Sequence, residues 1–118
     1  MRAVARAQVM LFLAEAKNLI FEKKFAFVPR SKNLKALFSL GWTAAVLADF
    51  LNTLTPRNYV QGPEQDTDRP GEDVWIFGTK IEGAEYYFKL KINRLEKGDA
   101  VACLSFHKAE RSLRYPYA

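Results

Sequence analysis

Glu85-Tyr86-Tyr87-Phe88-Lys89-Leu90-Lys91-Ile92 reads as a strand with two chemically different faces. Successive side chains of a strand point to opposite sides, so Tyr86, Phe88, Leu90 and Ile92 fall on one side and Glu85, Tyr87, Lys89 and Lys91 on the other. The apolar side must be covered, which places helices against it. A second run, Ala102-Cys103-Leu104-Ser105-Phe106-His107, also alternates. Ala102, Leu104 and Phe106 form its more apolar side; Cys103, Ser105 and His107 form the other. If both runs bury their apolar sets on one side, pairing parity is fixed. One such register sets Phe88 opposite Phe106, Leu90 opposite Leu104 and Tyr87 opposite His107, and a slip by two residues pairs Lys89 with His107. Either register leaves Tyr87, Lys89, Lys91 and His107 on the same uncovered face. A slip by one residue would bury His107.

Outward from these runs, residues 74–77 (VWIF) form a further predicted strand, and turn-rich pieces at 78–83 and 96–99 divide an antiparallel meander. The preceding stretch 57–73, RNYVQGPEQDTDRPGED, reads as a loop, and its length makes it functional or mobile. The first half is helical. Val9, Phe12, Leu13, Ala16, Leu19 and Ile20 follow the spacing of one helix face. A short extended piece follows at 25–28. Ser31 caps a second predicted helix with Leu34, Leu37, Phe38 and Leu40 inward and Gly41 at its stop. Thr43 caps a third, with Val46, Leu47, Phe50, Leu51 and Leu54 as its stripe and Trp42 stapled onto Leu47. The expected fold is a single α+β domain, residues 1–118, with N-terminal helices packed on one face of a small antiparallel β-sheet.

A chain of 118 residues, 49% hydrophobic, suits one domain with a modest core. Eighteen Lys and Arg against thirteen Asp and Glu give a net charge of +5, which favours nucleic acid or an acidic protein surface as partner. The single cysteine, Cys103, excludes an intrachain disulfide and suits a reducing compartment. With one histidine, His107, it is too little for a Cys/His zinc site. The apolar run 9–14 is too short to span a membrane, so a cytoplasmic protein without a membrane partner is expected. Glu64, Asp66, Asp68 and Asp73 lack the fixed spacing of a cation cage, and no metal or cofactor is expected. Glu64 alone is a lesser candidate for a general base.

The uncovered face has the chemistry needed to cut RNA through its own 2′-hydroxyl. That reaction needs a base for the hydroxyl proton, an acid for the departing 5′-oxygen and cations for the charge growing on phosphate. His107 is the side chain suited to acid or base work near neutrality. Lys89, Lys91 and Arg57 are candidates to hold phosphate. Tyr87 is placed to orient the phosphate, donate a proton or stack on a base. The same face also suits plain binding of RNA or of an acidic protein.

Five segments together carry a resemblance: RSKN at 30–33, LTPRNYVQGP at 54–63, VWIFG at 74–78, YFKLK at 87–91 and LSFH at 104–107. In this order they resemble the MqsR family of toxins of type II toxin–antitoxin systems, over about residues 9–117. The resemblance implies a RelE-like fold and a metal-independent endoribonuclease that cuts mRNA and is neutralised by a cognate antitoxin encoded nearby; a role for the ribosome is left open. It carries the family's active-site tyrosine onto Tyr87 and a family lysine onto His107, a change of residue type. A family glutamine falls on Ile76 and a family lysine near Tyr59-Val60, where neither chemistry is present. The resemblance therefore implies a site built differently here, with Arg57, Tyr59 and Lys89 in the phosphate-holding set.

Overall fold

The computed structural model describes residues 4–65 and 72–118. Helix α1 (Arg6–Phe21) is followed by the short strand β1 (Phe25–Phe27), then α2 (Ser31–Leu40) and α3 (Ala44–Leu51). A 3₁₀ turn (Pro56–Asn58) leads into β2 (Tyr59–Gln65), β3 (Asp73–Ile81), β4 (Ala84–Asn93) and β5 (Ala100–Lys108). The architecture is α+β, and the sheet order is β1-β5-β4-β3-β2. The sheet is mixed rather than antiparallel, because β1 pairs with β5 in parallel. The loop expected over 57–73 contains a strand: β2 pairs antiparallel with β3 through an irregular register.

The helices cover the side bearing Trp75, Phe77, Phe88, Leu90 and Phe106. Phe12 of α1 stacks on Trp75 and Phe77, Phe50 of α3 on Phe88, and Trp42 on Phe106. Trp42 therefore lies over the sheet and against Phe50, packed on the core that also holds Leu47. Thr43 caps α3 by accepting from the Val46 amide at 3.2 Å. Helix α2 is rotated relative to its predicted face: Asn33, Ala36 and Leu37 are buried, while Phe38 is 73% exposed. Among the described residues no single helix is long and apolar enough to cross a membrane.

The β4–β5 register decides what the uncovered face contains. Tyr87 pairs with His107, Phe88 with Phe106 and Lys89 with Ser105, as parity predicts. A register shift then intervenes, and Leu90 pairs with Cys103 rather than with Leu104. This bulge inverts the lower half of β5, so Cys103 and Val101 join the core while Ala102 sits beside Lys91 on the other face. A one-residue slip does occur, but below His107, which stays outward.

Asn33 holds the bulge. Its side-chain amide donates to the carbonyls of Leu104 and Val28, each at 2.9 Å, and its oxygen accepts from the Phe106 amide at 3.1 Å. These backbone groups fall outside the ladder at the bulge and at the end of β1. A buried unpaired group of this kind costs about 1–3 kcal/mol, so a buried asparagine on α2 is favourable here.

Candidate functional site

Tyr87 and His107 face each other across β4 and β5, their rings stacked with centroids 5.1 Å apart and planes 16° from parallel. Lys89 lies two residues along β4 on the same side, roughly 7 Å away at strand rise. Ile76 of β3 lies opposite Lys89, and Gln61 of β2 opposite Ile76, so one row crosses the sheet from Gln61 to Ser105. These residues floor an open cleft of about 760 Å³.

The C-terminal segment builds the cleft's wall. After β5 the Ala109 amide donates to the Glu85 carbonyl at 2.8 Å. The Glu85 carboxylate then accepts from the Leu113 amide at 3.2 Å and from the Tyr115 hydroxyl at 2.9 Å. The segment passes directly over Gly78. A β-carbon there would stand 2.5 Å from Leu113 Cδ1 and 2.7 Å from Tyr115 Oη, so only glycine lets the segment sit this close. Further on, Tyr117 packs on Tyr59 and its hydroxyl donates to the Val4 carbonyl. Glu110, Arg111 and Arg114 thereby come to line the same cleft as Tyr87, Lys89 and His107.

The hydrogen bonding of His107 selects a tautomer. Its Nδ1 lies 2.9 Å from the Lys108 carbonyl oxygen, which can only accept. Nδ1 therefore carries the proton, and the lone pair of the neutral ring is on Nε2. Burial pushes the Tyr87 phenol above its ordinary pKa, and the negative charge of Glu64 adds to that. Glu64 is held by Gln61, whose amide donates to it at 2.7 Å. A phenol in these surroundings stays protonated and acts as a donor. Glu110 is paired with Lys32 at 2.9 Å, and the Lys32 hydrogen bond and charge, followed by the charges of His107 and Arg111, hold its carboxyl below the ordinary value.

Of the residues expected from sequence, His107, Tyr87 and Lys89 are brought together. Lys91 shares their face but is only 3% exposed and paired with Glu72 at 2.5 Å, so it is a buried ion-pair partner and not a phosphate ligand. Tyr59 is 0% exposed and pairs with Phe77 on the helix side, its hydroxyl donating to the Gly62 carbonyl; it is a core residue. Arg57 is exposed on the 3₁₀ turn and is not among the residues lining the cleft. Of the loop carboxylates, Asp66 and Asp68 lie outside the described residues. Among the described residues no three His, Cys, Asp or Glu side chains converge as a metal site.

Arg111 and Arg114 were missed by sequence reading. The stretch 110–117, ERSLRYPY, has no helical or strand period, and only its anchors at Glu85 and Gly78 carry its arginines to the cleft. Of the positions the resemblance singles out, Val60, Ile76, Tyr87, Lys89 and His107 line this cleft, with Ile76 at 1% exposure in its floor, whereas Tyr59 is in the core and Arg57 lies outside the lining. Comparison with family models, curated proteins and solved structures finds no match.

Proposed function

We propose that the cleft cuts single-stranded RNA by attack of a ribose 2′-hydroxyl on the adjacent phosphorus, and that the protein is a cytoplasmic mRNA-cleaving toxin of the MqsR type. The observation that carries the catalytic part is the stacked Tyr87–His107 pair beside Lys89 in an open cleft. Nε2 of His107 takes the 2′-hydroxyl proton. The 2′-oxygen bonds to phosphorus as the P–O5′ bond breaks, and the Tyr87 hydroxyl passes its proton to the departing O5′. The products are a 2′,3′-cyclic phosphate and a 5′-hydroxyl. Lys89 stabilises the charge that grows on the non-bridging oxygens. In this scheme the proton transfers and the charge on phosphate are all handled by side chains, so no metal is needed. Control by a co-expressed antitoxin is supported by the sequence resemblance alone.

Purified protein incubated with single-stranded mRNA in EDTA tests the chemistry. Cut products ending in cyclic phosphate are expected. Intact RNA in the presence of demonstrably folded protein overturns the reading. Growth arrest on expression without the neighbouring gene tests the toxin part separately.

One observation favours a second reading, a non-catalytic basic module for RNA or an acidic protein. Where the resembling family carries a glutamine the cleft has Ile76, and of the pair Tyr59-Val60, near which its lysine falls, Tyr59 is buried and only the apolar Val60 reaches the cleft. That reading predicts salt-sensitive RNA binding with no cut products.

A further inference from the structure

We propose that the C-terminal segment is the phosphate-gripping wall of the cleft, with Arg111 and Arg114 binding backbone phosphates that flank the one placed between Tyr87 and His107. The inference deepens the RNA reading above and rests on it.

Three observations carry it. The first is that the segment's place is built into the sheet. Glu85 accepts from both Leu113 and Tyr115, and Gly78 leaves the notch they fill. Both arginines lie on this short anchored stretch, one on each side of Leu113, and both line the cleft. The second is the shortage of cations on the floor. Lys91 is buried against Glu72 and Arg57 stands outside the cleft lining, which among the described residues leaves Lys89 as the floor's one lysine. One ammonium can stabilise the reacting phosphate, but a strand lying along the cleft brings several phosphates. The third is availability. Arg111 and Arg114 are exposed, and among the described residues neither makes an ion pair. The acid on the same wall, Glu110, is engaged by Lys32. A guanidinium offers a planar fork that matches a phosphate with two parallel hydrogen bonds, which an ammonium does not. Arg111 and His107 line the same cleft.

The test uses full-length protein and a fluorescent single-stranded 2′-O-methyl oligoribonucleotide, which binds but offers no nucleophile for cleavage. Affinity is measured over a salt series for the wild type, for the Arg111→Ala/Arg114→Ala double variant and for Arg111→Lys/Arg114→Lys. In the wild type, log affinity should fall linearly with log salt. The alanine variant should bind about tenfold or more weakly at low salt. Its salt slope should be shallower by about 0.7 for each phosphate that is no longer neutralised. The lysine variant should recover the slope, because it keeps the charges, and only part of the affinity, because it lacks the fork. Thermal melts confirm that the variants fold, and the lysine pair tests the inference even if the alanine pair does not. A double alanine variant with wild-type slope and affinity overturns the role of the arginines and leaves the cleavage reading intact. A wild type that does not bind the oligonucleotide overturns both.

Discussion

The His107 imidazole lies flat against the Tyr87 phenol across neighbouring strands, centroids 5.1 Å apart. Directly opposed residues of an antiparallel pair have their β-carbons about 4.5–5.5 Å apart, so the spacing of the rings matches that of the strands that carry them. The pairing holds both rings on the same side of the sheet, where the proposed cleavage needs them. The Lys108 carbonyl fixes which imidazole nitrogen holds the lone pair, and burial keeps the phenol protonated. In the proposed cleavage, base and acid are thus distinguished by surroundings as well as by residue type.

Removing either group should abolish most cleavage while leaving the fold intact. His107→Ala and Tyr87→Phe should each lower the rate on the order of 10²–10⁴-fold, the usual contribution of general acid–base catalysis. Tyr87→Phe keeps the stacked ring and deletes only the hydroxyl. Both side chains are half-buried on the uncovered face, so stability should change by about 0.5–1 kcal/mol at most. Single-turnover cleavage and thermal melts check this. Unchanged rates would remove both residues from the chemistry, and a steep loss of stability in His107→Ala would make that ring a packing element.

Asn33 should prove essential to the sheet although it lies far from the cleft in sequence. Asn33→Leu keeps the volume and deletes the donors and acceptor that satisfy Leu104, Val28 and Phe106. Stability should fall by roughly 2–5 kcal/mol, measured as a lower urea midpoint, because buried backbone groups lose their partners. A variant as stable as the wild type would mean that β5 keeps its bulge without help.

The same residue shows where sequence reading succeeded and where it stopped. Alternation in β4 and at the end of β5 placed Tyr87, Lys89 and His107 on one face, since period-two patterning is a local property. The bulge was not legible, because Leu104 looks like a core residue in a strict alternation and Asn33 looks like an ordinary polar helix residue. Only their meeting across the fold explains both. Tyr59 and Lys91 were misplaced for a related reason: an aromatic in a loop-like stretch and a lysine on an open face both look exposed until β2, β3 and Glu72 surround them.

Gly78→Ala should lift the C-terminal segment. The added methyl collides with Leu113 Cδ1 and Tyr115 Oη and stands 3.1 Å from the Tyr86 carbonyl oxygen, so the two side chains that seat the segment must shift off the sheet. A cost of about 1–3 kcal/mol is expected from overpacking. Trypsin should then cut after Arg111 and Arg114 faster than in the wild type, and Leu113→Ala in the same chain should restore part of the protection. Identical digestion of wild type and Gly78→Ala would mean that the segment is not seated on Gly78 in solution.

Stability should fall on the alkaline side. Burial leads the causes that raise the Tyr59, Tyr87 and Tyr115 phenols above their ordinary value, and burial pushes the Cys103 thiol up to about 12. Each group stays protonated in the folded protein at a pH where the unfolded chain has begun to release that proton. The unfolded state then binds fewer protons than the native one, so the free energy of unfolding decreases as pH rises. These groups contribute no pH dependence near neutrality. The decline begins above about pH 9, where an unfolded thiol ionises, and steepens above about pH 10, where unfolded phenols follow. Urea midpoints measured across this range check the sign. Tyr115→Phe should flatten the upper part of the curve, because it deletes one shifted phenol, at the expense of its hydrogen bond to Glu85. A midpoint that climbs through the same window would require these groups to ionise more readily inside the fold than outside it, against the burial seen for all four.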